Sequence, residues 1–74
     1  MKHFDMNKAR GTLKQAVAGI DPLAVDYIDW DNFELELEAV ITGGGPKEAA
    51  LAVFSLATNR ARQARARSQP LFNQ

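Results

Sequence analysis

Two clusters of ionisable side chains carry most of the chemistry that this 74-residue chain could perform. Arg60, Arg62, Arg65 and Arg67 fall within eight positions. Guanidinium groups at that density can neutralise the phosphates of a nucleic acid. Asp26, Asp29, Asp31, Glu34, Glu36 and Glu38 form the second cluster, and residues 21–42 hold no basic side chain at all. Such a run can meet a basic patch on another protein and steer its approach. Catalysis has far less to work with. His3 is the only histidine and the chain has no cysteine, so no Ser-His-Asp or Cys-His arrangement and no zinc-finger ligand set can be assembled. The loop carboxylates Asp29 and Asp31 are better explained by helix capping and solvation than by a metal. Gly43-Gly44-Gly45-Pro46-Lys47 lacks the Gly-x-x-x-x-Gly-Lys-Ser/Thr spacing of a phosphate loop, and Pro46 removes one N–H that would bind the anion. The expectation is a protein with no catalytic residues, no cofactor and no metal.

The two clusters belong to a pattern that runs along the whole chain. Lys2, Lys8, Arg10 and Lys14 stand against Asp5 in the first 20 residues; seven carboxylates follow; Lys47 and the four arginines then stand against Glu48. The net charge is zero, so the order is basic, acidic, basic. Blocks of this kind either neutralise one another within a fold or face different partners, and neutralisation is the simpler expectation. Hydrophobic residues make up 46% of the chain, enough for one small domain over 1–74, with 68–74 as a C-terminal tail. A chain this short buries only about 60% of its unfolded surface, so its stability is modest. No apolar run approaches the roughly 20 residues of a membrane span and the start has no apolar signal core. A cytoplasmic protein away from membranes is expected.

The elements that must position these side chains read as helices. Met6, Ala9, Leu13, Ala16, Val17 and Ile20 share one helical arc, with Gly19 as a terminator. Asp21-Pro22 has the form of a cap followed by a proline at the first helical position. It opens a short segment in which Leu23, Tyr27 and Trp30 share a side, with Ala24 and Ile28 beside them. Residues 33–41 read two ways. Phe33, Leu35, Leu37, Ala39 and Ile41 alternate with Glu34, Glu36 and Glu38, the period of a half-buried strand. A hairpin pairing 24–29 with 33–41 would oppose Asp29 to Glu34 and place Asp26 beside Leu37, which is unfavourable. Read as a helix, the stretch has Asp31 three residues before Glu34 at capping-box spacing, good helix formers in the middle, and Gly43 as its stop. Phe33, Leu37 and Val40 then share a face. The helix is preferred, and the helix–β-hairpin–helix arrangement, an α+β fold, is the alternative. Pro46 opens a last helix whose seam is Ala50, Val53, Phe54, Ala57, Ala61 and Ala64. The expected fold is all-α, a bundle of three to four helices.

On that seam Arg60 and Arg67 fall on one flank and Arg62 and Arg65 on the other, so the arginines form no single stripe. No aromatic side chain is interleaved among them for base stacking. Protein binding through the acidic region therefore ranks first. Its size and lack of catalytic chemistry suit a bacterial, phage or plasmid modulator or inhibitor. Nucleic-acid binding through Arg60, Arg62, Arg65 and Arg67 ranks second. Self-association through the alanine seam, giving a homo-oligomeric structural subunit, is the third reading.

Two short segments resemble known patterns. Leu37-Glu38-Ala39-Val40-Ile41, followed by Leu51-Ala52-Val53-Phe54-Ser55-Leu56-Ala57, looks like the core of the Hha/YmoA family, small all-helical bacterial proteins that bind the nucleoid protein H-NS. Asn59-Arg60-Ala61 stands where that family has Asp-His-Arg. Ser68-Gln69-Pro70-Leu71-Phe72 looks like the short peptides that dock on bacterial sliding clamps, with Gln69 three residues before Phe72 rather than the usual four. That resemblance implies a docking role for Gln69, Leu71 and Phe72; the alternative is that Leu71 and Phe72 fold back on the domain's own core.

Overall fold

Asp5 starts the first helix. Its carboxylate accepts from the backbone N–H groups of Asn7 and Lys8 at 3.0 and 3.3 Å, satisfying two of the donors that a helix N-terminus leaves open. The computed structural model describes residues 5–68 and holds α1 (Met6–Ile20), a 3₁₀ segment (Pro22–Tyr27), α2 (Trp30–Thr42) and α3 (Lys47–Ser68). The described residues are 88% helical and contain no strand. The all-α bundle is the fold. The hairpin alternative at 24–29 and 33–41 is thereby corrected: 24–27 lie in the 3₁₀ segment, 28–29 connect it to α2, and 33–41 lie within α2, so the apposed carboxylates that the hairpin would have required are avoided.

Local chemistry fixes each boundary. Asp29, not Asp31, caps α2: its carboxylate accepts from the Asn32 backbone N–H at 3.2 Å and from the Asn32 side-chain amide at 2.8 Å. The helix therefore begins earlier than the Asp31–Glu34 spacing suggests, and Asp31 lies in the first turn, where a negative charge is favoured by the helix dipole. At the other end, Gly44 donates to the Ile41 carbonyl and Gly45 to the Val40 carbonyl, the paired bonds of a Schellman stop. Gly44 sits at φ +70°, a left-handed conformation that glycine adopts without a Cβ clash. A Cβ on Gly45 would come within 3.0 Å of the Val40 side chain. The Pro46 carbonyl then accepts from Ala49 and Ala50 as α3 begins. Gly19 does not end α1, which continues through Ile20 to a bond from the Asp21 N–H to the Val17 carbonyl.

The tight turn sets α2 antiparallel to α3. Met6 lies beside Leu35 and Glu38 of α2 while Asp21 reaches Arg65 of α3, so α1 runs antiparallel to α2 and parallel to α3. At 1.5 Å per residue α3 outreaches α2 by about 13 Å. The 3₁₀ segment packs on α3 and on α1, and α3 also packs on both of its neighbouring helices. One core results, built from Ala9, Leu13, Val17, Ala24, Ile28, Phe33, Leu37, Val53, Ala57 and Ala61. Phe33 is its centre: its ring meets Trp30 edge-on at 6.1 Å and Phe54 at 5.2 Å. Among the described residues Thr58 is the buried polar side chain, and its hydroxyl donates to the Phe54 carbonyl at 2.9 Å.

The expected seam of α3 is the packed one, with Val53, Ala57 and Ala61 buried and Ala50, Phe54 and Ala64 half-buried. Two other faces differ from expectation. In the 3₁₀ segment Ala24 is fully buried, whereas Leu23 is 64% and Tyr27 40% exposed. At three residues per turn Leu23 and Tyr27 no longer share a side, and Ala24 is the residue of this segment that the core covers. On α1 only the narrow stripe Ala9, Leu13 and Val17 is fully covered, with Met6 partly so; Ala16 and Ile20 are exposed.

Candidate functional site: the crevice between α1 and α2

Among the described residues the expected neutralisation of charge blocks takes the form of three ion pairs. Arg10 of α1 binds Glu34 of α2, Arg60 Nη1 of α3 lies 2.9 Å from Glu36 of α2, and Arg65 Nε lies 3.2 Å from Asp21. Each joins a basic terminal block to the acidic middle. Arg65–Asp21 is the least solvated, with both side chains about four-fifths covered. It ties the projecting end of α3 to the start of the 3₁₀ segment. Arg62 and Arg67 are exposed and form no ion pair among the described residues.

These pairs divide the acidic cluster. Glu34 and Glu36 are committed to arginines, and Asp29 is committed to capping. Asp26 is exposed on the 3₁₀ segment and not on α2. Asp31 and Glu38 remain exposed, and they flank Leu35, which at 67% is the most exposed large apolar side chain among the described residues. Positions 31, 35 and 38 have the four-then-three spacing of one helical stripe.

The stripe borders an opening in the bundle. α1 and α2 do not pack backbone against backbone as each does against α3. The Arg10–Glu34 pair bridges the gap, with the Arg10 guanidinium also 3.2 Å from the Asn7 side-chain oxygen. One hollow of about 390 Å³ is lined by Arg10, Trp30, Asp31 and Glu34. A second of about 260 Å³ is lined by Met6, Asp31, Glu34, Leu35 and Glu38. The hydrogen bond from Arg10 is the main cause that holds the Glu34 carboxyl below the ordinary glutamate range; desolvation opposes it in part, and the charge of Arg10 adds a further lowering. Glu34 in turn raises the Arg10 guanidinium. The crevice thus offers three carboxylates, one base already engaged, and the apolar surfaces of Met6, Trp30 and Leu35.

Sequence reasoning reached Asp31, Glu34 and Glu38 but not Arg10, Met6, Trp30 or Leu35 as members of one site. The 31, 35, 38 spacing is visible in the sequence once the helix is chosen; the pairing of Arg10 with Glu34 is not, because it depends on how α1 is laid against α2. Gln69, Leu71 and Phe72, like His3, lie outside the described residues. Among the described residues no group of three or more His, Cys, Asp or Glu side chains is placed to hold a metal ion. No helix there is long and apolar enough to cross a membrane. In the two Hha/YmoA-like segments, Leu37, Val53 and Ala57 are buried while Leu51 and Ile41 are exposed. No family model, curated protein or solved structure matches the chain, and the Hha/YmoA likeness remains one of short core segments.

Proposed function

We propose that this is a non-catalytic binding protein that modulates or inhibits a partner protein by capturing a basic segment of it along the outer face of α2. The observation that carries the reading is the stripe Asp31–Leu35–Glu38, an exposed leucine held between two carboxylates that no internal arginine engages. An apolar anchor ringed by like charge gives a partner both contact area and a reason to prefer basic residues around it.

The two rival readings have less to support them. Half of the arginine cluster, Arg60 and Arg65, is occupied by Glu36 and Asp21, which leaves Arg62 and Arg67 for phosphate. Self-association through the alanine seam lacks a free surface, since Val53, Ala57 and Ala61 are buried within one chain.

The test is differential capture. Wild-type protein and the double variant Asp31→Lys/Glu38→Lys are immobilised, and proteins retained from a host extract are compared by mass spectrometry. Reversal at Asp29, Glu34 or Glu36 would be a poor test, because those side chains cap α2 or pair with arginine. Loss of a stoichiometric partner from the double variant, with its circular dichroism unchanged, is expected. An identical retained set would overturn the reading, and salt-sensitive retention of nucleic acid dependent on Arg62 and Arg67 would favour the rival.

A further inference from the structure

We infer that the α1–α2 crevice receives an arginine-bearing helical segment of the partner, whose guanidinium replaces that of Arg10 on Glu34. The inference rests on the partner-binding role proposed for this face and names the chemistry of what it binds.

Charge complementarity selects the occupant. Asp31, Glu34 and Glu38 line the two hollows against the single base Arg10, so an incoming cation is favoured and an incoming carboxylate is repelled. The chain already fills part of this site with a guanidinium of its own. Arg10 is held by Glu34 and Asn7, yet 46% of its side chain is solvent-accessible. An ion pair this exposed is weak and exchanges readily. A second guanidinium therefore competes with Arg10 for a carboxylate whose geometry already suits it.

Arginine fits better than lysine for two reasons. Its planar fork can bind Glu34 and reach Asp31, which lines both hollows with it, whereas an ammonium binds as a point charge. The half-buried ring of Trp30 borders the larger hollow and offers an aromatic surface on which guanidinium stacks. The helical form follows from the length and contents of the opening. Asp31 to Glu38 spans about 10 Å along α2, close to two helical turns, and Leu35 lies between them. A helix carrying Arg and an apolar residue one turn apart presents both to the crevice at once.

The probe is a fluorescein-labelled, alanine-based helical peptide with Arg and Leu one turn apart, followed by fluorescence anisotropy, with a Lys-for-Arg version alongside. Arg10→Ala should tighten binding of the Arg peptide by about two- to fivefold, the range set by an exposed ion pair that no longer competes for Glu34. Arg10→Gln, which keeps a long polar side chain, should act in the same direction. Lys8→Ala removes the same charge from a position about 200° around α1 and should leave affinity nearly unchanged. Glu34→Gln should weaken binding and cancel the gain from Arg10→Ala. Equal tightening by Arg10→Ala and Lys8→Ala would overturn the replacement and leave only general electrostatics, with the proposed function still standing. Equal affinity for the Lys peptide would overturn the guanidinium assignment. Absence of binding to wild type and Arg10→Ala alike would overturn both the inference and the binding role of this face. Sedimentation showing dimers of the protein alone, lost in Glu34→Gln, would overturn the assignment to a different partner by giving the crevice to a second copy.

Discussion

Replacing Phe33 tests whether this small fold hangs on one aromatic junction. The ring is 1% exposed and meets two other rings edge-on, Trp30 at 6.1 Å and Phe54 at 5.2 Å. Truncation to alanine removes a fully buried aromatic and leaves a cavity, a loss of about 3–5 kcal/mol. A chain of 74 residues at about 0.05–0.15 kcal/mol per residue has a total stability of about 4–11 kcal/mol. Phe33→Ala should therefore remove between about a quarter of that stability and all of it. Phe33→Leu isolates the aromatic contribution. It keeps most of the volume and forfeits two ring pairs worth about 0.5–1.5 kcal/mol each, a combined loss of about 1–3 kcal/mol. At roughly 6 °C per kcal/mol for a domain of this size, the melting temperature should fall by about 6–18 °C. Far-UV circular dichroism during thermal and urea unfolding measures both variants, with Leu35→Ala as a surface control expected within about 0.5 kcal/mol of wild type. A Phe33→Ala loss below about 1 kcal/mol would refute the junction, because it would mean that the three rings are not jointly buried.

Two further outcomes follow from the same geometry. Ala61 is fully buried in the core, so Ala61→Leu should overpack it and cost about 1–3 kcal/mol; Ala66→Leu, on the exposed side, should be neutral within about 0.5 kcal/mol. Denaturant midpoints measure the difference, and equal effects would show that the alanine seam is not the packed face. The Arg10–Glu34 pair predicts a pH dependence of known sign. Because Glu34 is held below its ordinary value in the folded protein, its contribution is present above the unfolded value of about 4.3 and is lost as pH falls through the lowered folded value. Melting temperature as a function of pH should fall more steeply toward acid in wild type than in Glu34→Gln; parallel curves would remove the linkage.

Much of this fold is legible from sequence because its signals are local. The Gly43–Gly45 stop, Pro46 before α3 and the alanine seam each depend on a few consecutive residues, and each sits where its spacing puts it. What misleads is geometry that changes the period. Leu23 and Tyr27 share a side only at 3.6 residues per turn, and Asp21-Pro22 opens a 3₁₀ segment instead. Ile20 follows the arc of α1 but has too little facing surface to cover it, leaving it 58% exposed. The candidate site is only half legible. Its carboxylates announce themselves by density, but sequence treats Glu34, Glu36 and Asp31 alike, whereas the distances separate them. Arg10 and Glu34 are 24 residues apart and so are Arg60 and Glu36; only the lay of α1 and α3 on either side of α2 brings those pairs together.

The alternation Phe33-Glu34-Leu35-Glu36-Leu37-Glu38 looks like a strand because two functions of a helix are interleaved in it. At 100° per residue, Glu34 and Glu36 project to opposite flanks of α2, and each finds its arginine there, one from α1 and one from α3. Phe33 and Leu37, one turn apart, are the buried pair between those brackets. Leu35 cannot join them. It stands 200° from Phe33, so the residue that a strand would bury alongside Phe33 and Leu37 is the one the helix turns to solvent, between Asp31 and Glu38. With a glutamate on each flank paired to a basic helix, α2 keeps one outward stripe, and that stripe carries leucine where solvation alone would favour a polar residue. The exposed leucine is therefore the position at which the fold's own requirements run out, and it lies beside the crevice that α1 leaves open.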